Sequence, residues 1–249
     1  MRKPIIAGNW KMYKTILEST STAIDLKAKV SEISDREIIV CPVFTSLKFV
    51  CDALINSNIK VGAQDLFWEE KGAFTGELSA GQIKDCGCAY VVIGHSERRQ
   101  FFHETNETVG KKTLAALKAG LTPIVCVGEL LAERESGRTF TVIEKQIREG
   151  LSCLSKEQAK IIVIAYEPVW AIGTGKVATP AQAEDVHIYI RKTFANMFGQ
   201  ETADAVRILY GGSVKPENIS FLMAQKNIDG ALVGGASLDA ESFAKIIRY

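Results

Sequence analysis

Eight short runs of apolar, largely β-branched residues alternate with helix-like segments along the whole chain of 249 residues. Continuous apolar runs of this length are typical of parallel strands that are buried on both faces. The predicted strands are Ile5–Trp10, Glu37–Cys41, Lys60–Ala63, Tyr90–Gly94, Thr122–Val127, Ile161–Glu167, Val206–Tyr210 and Gly230–Val233. This alternation limits the fold more strongly than any other feature of the sequence.

The segments between and after these runs are predicted to be helices. Capping boxes beginning at Thr15 and Thr179 mark two of the starts. The predicted helices are Ile16–Val30, Thr45–Ile55, Ala80–Cys86, Glu107–Lys118, a pair divided at Gly137 that ends near Leu154, Pro180–Phe198, Pro216–Ala224 and Ala240–Ile247.

Parallel strands need crossover connections, and each right-handed strand–helix step turns in the same direction. Eight such steps in a chain of 249 residues predict an α/β fold, a closed (β/α)8 barrel in which residues 1–249 form one domain. A doubly wound open sheet is the competing topology, but its edge strands should be less apolar than these.

Composition excludes several classes of partner. The formal net charge of +1 argues against nucleic acid and against a membrane surface, since both favour strongly basic patches. No apolar stretch reaches the ~18 residues that a membrane span requires. The N-terminus enters a strand at once and leaves no room for a signal peptide. Six cysteines without a spaced framework indicate free thiols in a reducing compartment, so we expect a cytoplasmic protein.

The sixth predicted strand ends in a carboxylate, Glu167, followed by a proline that cannot continue a central strand. Residues 168–178 contain Gly173 and Gly175 between apolar neighbours, a pattern that predicts a flap closing over a site. The same segment resembles a phosphate loop, but Val177 stands where Ser or Thr should bind magnesium.

Polar or glycine residues follow most of the other predicted strands, and in a barrel these positions converge on one mouth, where active sites lie. They are Asn9 and Lys11 after the first strand, Gln64 and Asp65 after the third, His95 and Glu97 after the fourth, Glu129 after the fifth, Gly211–Ser213 after the seventh, and Gly234 and Gly235 after the eighth.

Glycine turns after strands seven and eight occupy the usual phosphate position of a barrel, where backbone N–H groups at helix N-termini bind anions. His95 precedes a predicted short helix, whose dipole disfavours a charged imidazole, so we expect a neutral hydrogen-bond donor. Lys11 is placed to neutralise a bound anion. The histidines fall at no metal-ligand spacing and no cofactor motif is present, so we expect neither metal nor cofactor. The accessible chemistry is then proton transfer next to a carbonyl group.

Five motifs, in this order along the whole chain, are similar to those of the triosephosphate isomerase family. They are Ala7–Met12, Val92–Arg99, Ala165–Gly175, Tyr210–Val214 and Leu232–Ala236. The resemblance implies a TIM barrel that interconverts dihydroxyacetone phosphate and glyceraldehyde 3-phosphate through an enediolate, as a cytoplasmic homodimer without a cofactor.

The resemblance also implies a role for each matching residue. Glu167 would shuttle the proton and a neutral His95 would polarise the carbonyl, a pairing already known for this family. Asn9 and Lys11 would position and neutralise the intermediate, with Glu97 in a supporting role, and Ile172 would shield Glu167 from water and raise its basicity. Phosphate binding would fall to Gly173, Gly212, Ser213, Gly234 and Gly235.

The connection from Gln64 to Ser79 is long for a strand–helix loop and carries three aromatic residues, an apolar load unusual for a solvated loop. In the family this loop inserts into the neighbouring subunit, so the resemblance implies a dimer interface that includes Gln64, Asp65, Phe74 and Thr75. Tyr13 departs from the polar residue expected at its position.

Three other functions stay open at the level of sequence. A Schiff-base aldolase could use Lys11 or Lys176. A glycosidase could use Glu129 and Glu167, although the mouth lacks sugar-stacking aromatic residues. A protein of this kind could also bind a phosphorylated metabolite without catalysis.

Overall fold

The computed structural model describes residues 2–172 and 178–249. Within them, eight parallel strands close into a barrel in sequence order, and the last strand pairs with the first. The strands are β1 (Ile5–Asn9), β2 (Glu37–Cys41), β3 (Ile59–Ala63), β4 (Tyr90–Ile93), β5 (Thr122–Val127), β6 (Val163–Tyr166), β7 (Arg207–Tyr210) and β8 (Gly230–Val233). The predicted (β/α)8 barrel is confirmed, and an open sheet is excluded.

Twelve helices surround this barrel in the described part of the chain. They are α1 (Ile16–Val30), α2 (Leu47–Ala53), α3 (Ala80–Asp85), α4 (Ser96–Phe101), α5 (Asn106–Lys118), α6 (Leu131–Glu135), α7 (Thr139–Leu151), α8 (Lys156–Ile161), α9 (Pro180–Phe198), α10 (Gln200–Ala205), α11 (Ile219–Met223) and α12 (Ala240–Ile247). Single 3₁₀ turns lie at Phe44–Ser46, Val169–Ala171 and Gly235–Ser237.

Each strand serves two apolar layers because successive side chains point to opposite faces. Ile5 and Ala7 belong to the cluster that fills the barrel, whereas Ile6 belongs to the layer between strands and helices. The continuous apolar runs in the sequence reflect this double burial.

Local capping explains why several helices begin where the sequence predicts. The side chains of Thr15 and Thr179 each accept a hydrogen bond from the backbone N–H three residues later, and both capping boxes are complete. Ser79 caps α3 in the same way. Such caps depend only on neighbouring residues and are therefore readable from sequence.

Other boundaries differ from prediction. The helices α8 and α10 were not predicted, because each has six residues and too short an apolar face to show a period. Ile161 ends α8 instead of starting β6. The helix expected from Pro216 begins only at Ile219. No helix among the described residues is both long and apolar enough to cross a membrane.

Candidate active site

One cavity of about 370 Å³ opens at the carboxyl ends of the strands, and most of the predicted site residues line it. Residues from five different strand ends meet there although they are far apart in sequence, which is the arrangement expected of a barrel mouth. Its predicted lining residues are Asn9, Lys11, His95, Glu167, Ile172, Gly212, Ser213, Gly234 and Gly235. Gly173 lies outside the described residues, as do the other residues of 173–177 within the predicted flap 168–178.

The side chains of His95 and Glu167 are in direct contact. Nε2 of His95 lies 2.9 Å from Oε1 of Glu167, and both side chains are buried. His95 directly follows β4 and Gly94 and acts as N-cap of α4, where its Nδ1 accepts the backbone N–H of Glu97 at 3.2 Å. A neutral ring satisfies both contacts if its proton lies on Nε2 and is donated to Glu167.

The second carboxylate oxygen of Glu167 is also engaged. Oε2 accepts the backbone N–H of Ser96 at 2.9 Å. Burial raises the pKa of Glu167, but the contact with His95, this N–H group and the Lys11 charge together outweigh burial and lower the pKa. In this arrangement Glu167 is held as a carboxylate.

Burial lowers the pKa of His95, yet the carboxylates of Glu167 and Glu97 outweigh it and raise the pKa above its ordinary value. The neutral imidazole was expected from the position of His95 at a helix N-terminus. The fold adds the carboxylate of Glu167 against Nε2, and this contact could not be foreseen from the sequence. As long as Glu167 contacts His95, the charged imidazole is favoured more than was expected.

Lys11 lies across the cavity from these two side chains. Its ammonium group donates to the carboxylate of Glu97, and its backbone N–H donates to Oδ1 of Asn9 at 3.0 Å. The backbone of Lys11 has a φ of 51°, a left-handed conformation that is uncommon for a residue with a side chain. Held in this way, the ammonium group contributes positive charge to the cavity wall.

The two glycine turns differ from each other. Gly235 begins a 3₁₀ turn, so its neighbourhood is a helical N-terminus as predicted. Gly211, Gly212 and Ser213 precede the first residue of α11 by several positions, so they do not lie at a helix N-terminus, which was the setting expected for anion binding. They lie in a connection without regular secondary structure that still borders the cavity.

Two residues support the carboxylate of Glu167 in ways that were not predicted from the sequence. Ser96 acts through its backbone N–H, which carries no side-chain signal. Gly211 leaves room for Glu167, because a Cβ atom added at Gly211 would lie 2.9 Å from Cγ of Glu167. The position of Gly211 directly after a strand could have indicated that it makes room for a neighbouring side chain. From the sequence, however, we predicted only a part in phosphate binding for this glycine.

Glu129 lies outside the cavity and is fully buried. Its Oε1 accepts hydrogen bonds from Trp170 Nε1 at 2.9 Å and Tyr166 Oη at 3.1 Å, and it pairs with Arg134 at 3.2 Å. Bound in this way, Glu129 cannot flank a sugar together with Glu167, which disfavours the glycosidase hypothesis. Among the described residues, no group of three or more His, Cys, Asp or Glu side chains could hold a metal ion.

The loop from Gln64 to Ser79 carries the predicted interface residues. Phe74 and Thr75 are exposed, and the Phe74 ring stacks on Phe67 with centroids 4.6 Å apart. Gln64 donates through Nε2 to the carbonyl oxygen of Lys11 at 2.7 Å, which ties the loop to the segment that carries Lys11.

Asp65, at the start of the same loop, is buried within its own chain. Its carboxylate pairs with Lys112 at 2.7 Å and Arg98 at 2.9 Å. The carboxylate of Asp65 is therefore engaged by residues of its own chain, whereas the sequence predicted that Asp65 belongs to the subunit interface.

Comparison with known proteins agrees with this geometry. The triosephosphate isomerase family model matches residues 4–249. Triosephosphate isomerases of Endomicrobium trichonymphae and Moorella thermoacetica are 61% and 60% identical over all of this chain and 99% of theirs. The crystal structure of triosephosphate isomerase from Bartonella henselae aligns with a TM-score of 0.89 at 39% identity, covering 98% of each chain. The chain belongs to the triosephosphate isomerase family.

Proposed function

We propose that this chain interconverts dihydroxyacetone phosphate and glyceraldehyde 3-phosphate, a step of glycolysis, without metal or cofactor. The observation that carries the proposal is the 2.9 Å contact between Glu167 and His95 inside a cavity bordered by glycine backbone. A carboxylate base and an imidazole donor at this separation can act on adjacent carbon and oxygen atoms of one small substrate.

A substrate that enters the cavity separates Glu167 from His95 and contacts both side chains. The carboxylate of Glu167 removes a proton from the carbon next to the carbonyl, and Nε2–H of His95 donates to the carbonyl oxygen. The enediolate that forms carries negative charge, which the ammonium group of Lys11 stabilises, with the side chain of Asn9 positioning the intermediate. A proton also moves from the hydroxyl oxygen of the substrate to the former carbonyl oxygen, and return of the carbon-bound proton from Glu167 to the neighbouring carbon completes the isomerisation.

Loss of the Glu167 contact removes the main influence that raises the pKa of His95. Burial and the N–H group of Glu97 at Nδ1 then favour the neutral ring. The substrate complex is therefore proposed to favour the neutral imidazole more strongly than the free enzyme does.

The phosphate group is proposed to bind where the cavity is lined by backbone amides. Gly212, Ser213, Gly234 and Gly235 border the end of the cavity beside Lys11, and the absence of large side chains lets an anion approach their N–H groups. Gly173 on the flap is proposed to add a further N–H group, and Ile172 to cover Glu167, when the flap closes. Exclusion of water also protects the enediolate from elimination of phosphate.

We further propose that residues 1–249 act as one domain within a cytoplasmic homodimer. Phe74 and Thr75 are exposed on the long loop, and Met12, Tyr13 and Leu17 expose apolar surface after β1. Exposed apolar surface of this extent is typical of a subunit interface. Burial of the loop of one subunit against the β1 end of another would cover both surfaces and brace the segment that carries Lys11.

The test is turnover of glyceraldehyde 3-phosphate in a coupled assay, with and without a chelator. Glu167→Ala should keep the fold and lose activity by at least ~10²–10⁴-fold, the usual contribution of a positioned general base. Glu241→Ala, an exposed carboxylate on α12, is the matched control and should leave turnover unchanged. Near-normal turnover of the Glu167 variant would remove that residue from its role.

The same assay separates the other hypotheses. A Schiff-base aldolase would be inactivated by borohydride in the presence of substrate; the Lys11 ammonium is paired with Glu97, not isolated in an apolar pocket, and Lys176 lies outside the described residues. A non-catalytic metabolite binder would bind the triose phosphate without turnover. A carboxylate in contact with an imidazole favours isomerisation by proton transfer over both alternatives.

A further inference from the structure

Three cysteines from two separate segments form a cluster on the side of the barrel opposite the active-site mouth. Cys51 lies near the end of α2, whereas Cys86 and Cys88 lie between α3 and the amino end of β4. Neither segment contributes to the cavity described above. The proposed isomerisation does not use these three thiols.

The segment Cys86–Cys88 packs directly on Cys51. Gly87 adopts a φ of 103°, and a Cβ atom added there would lie 3.2 Å from Cβ and 3.3 Å from Sγ of Cys51. The glycine therefore allows the backbone next to Cys88 to approach the cysteine of α2 closely. The thiols of Cys51 and Cys88 lie close enough to shift each other's pKa.

The two thiols of this pair differ in exposure. Cys51 is only partly buried, whereas Cys88 is 1% exposed and packs in the core between strands and helices. The neighbouring Cys88 thiol lowers the pKa of Cys51, and the Lys48 ammonium group adds to this effect. The same contact raises the pKa of Cys88. A partly exposed thiol of lowered pKa beside a buried thiol is the arrangement of an attacking and a resolving cysteine.

We propose that Cys51 and Cys88 form an oxidation site in which a peroxide converts the thiol pair into an intramolecular disulfide between α2 and the start of β4. The Cys51 thiolate attacks one oxygen of hydrogen peroxide, which breaks the O–O bond and gives a sulfenic acid and hydroxide. The Cys88 sulfur then attacks the Cys51 sulfur, and its proton leaves with the sulfenic oxygen as water. In total, two thiols lose two electrons and two protons, and one peroxide becomes two water molecules.

The remaining cysteines explain why this pair is selected. Cys41 and Cys126 are fully buried inside the barrel, and burial raises the pKa of each. Cys153 is exposed but burial of its sulfur raises its pKa, and its only polar contacts are backbone carbonyl oxygens at 3.9 Å among the described residues. Cys86 is the alternative partner, which the experiment must distinguish from Cys88.

The experiment treats the reduced, full-length protein with hydrogen peroxide, blocks free thiols by alkylation, and maps peptides by mass spectrometry without reduction. The expected product is a peptide pair linked through Cys51 and Cys88, with a loss of about 2 Da for two hydrogen atoms. Recovery of both residues as alkylated thiols would overturn the proposal, as would a dominant bond from Cys51 to Cys86 or between chains.

Single variants assign the roles of the two sulfurs. Cys88→Ala should leave a sulfenic acid on Cys51 that a dimedone probe labels, whereas Cys51→Ser should abolish the crosslink. Cys86→Ser and Cys153→Ser are controls that should retain it. Absence of a dimedone adduct in a folded Cys88 variant would contradict the assignment of Cys51 as the attacking thiol.

The oxidised protein provides a second readout. Closing the chain between residues 51 and 88 restrains the unfolded state, so the unfolding midpoint should rise by a few degrees and return after reduction. Isomerase turnover should be retained because the crosslink lies at the end of the barrel remote from His95. An unchanged or lower midpoint in protein that contains the crosslink would refute the expected stabilisation and show that the bond strains the fold. The proposal does not depend on the isomerase activity.

Discussion

Gly211→Ala tests whether the fold keeps space for the catalytic carboxylate. Gly211 follows β7 directly and donates its backbone N–H to the carbonyl oxygen of Tyr166 at 2.7 Å, so its Cα is fixed beside β6. A methyl group there would lie 2.9 Å from Cγ of Glu167 and 3.2 Å from the carbonyl oxygen of Tyr166. Because the second atom belongs to a strand, the Glu167 side chain is the group expected to move.

The size of the effect follows from these distances. Carbon atoms pack at about 3.5–4.0 Å, so Cγ of Glu167 must shift by ~0.6–1.1 Å. A displacement of ~1 Å of a reacting group can reduce the rate by ~10²-fold. That loss corresponds to ~2.7 kcal/mol of transition-state stabilisation. We therefore expect kcat/KM to fall by ~10²-fold in a variant that still binds phosphate.

The assay is steady-state isomerisation of glyceraldehyde 3-phosphate, with inorganic phosphate as a competing ligand. Gly150→Ala is the matched control, since a methyl group there meets Asn106 and Val109 only at 3.6 Å, an ordinary contact. Circular dichroism and the unfolding midpoint establish that both variants are folded. A folded Gly211 variant with turnover close to that of the parent would refute the reasoning.

Three further predictions concern charge, acid stability and assembly. Lys11→Ala should weaken competition by inorganic phosphate by ~10–100-fold, the usual contribution of a charge-assisted contact. The control Lys245→Ala on α12 should not change this competition. Equal inhibition constants for the two variants would place Lys11 outside the anion site. Burial lowers the pKa of His187 to about 3, so the folded protein favours the neutral ring and the resulting stability is present above pH ~6.5 and lost as the pH falls toward 3. Between pH 7 and 5 this loss is about 2 kcal/mol, and urea unfolding of His187→Gln should show a correspondingly weaker acid dependence; identical slopes would contradict the assignment. Thr75→Arg on the long loop should shift the protein from dimer to monomer in light scattering. The control Phe221→Arg, at an exposed site on α11, should leave the dimer intact. A dimer that survives the Thr75 change would exclude this loop as the interface.

The sequence by itself determined the order and type of the elements and the end of the barrel at which the polar residues lie. The strands were readable because a strand buried on both faces must be apolar throughout. The start of α9 was readable because Thr179 and Gln182 satisfy each other's backbone groups across three residues. Short helices such as α8 were missed, since six residues cannot display a helical period.

Only the tertiary structure decided which groups touch. Ser96 and Glu167 are 71 positions apart, and their hydrogen bond exists because the closed barrel brings the ends of β4 and β6 to the same mouth. The charge preference of His95 likewise depends on that carboxylate, and the sequence argument could not include it. Local patterns specify helices, strands and caps through neighbours in the chain, whereas pKa values, the space at Gly211 and the thiol pair depend on distances that arise when the barrel closes.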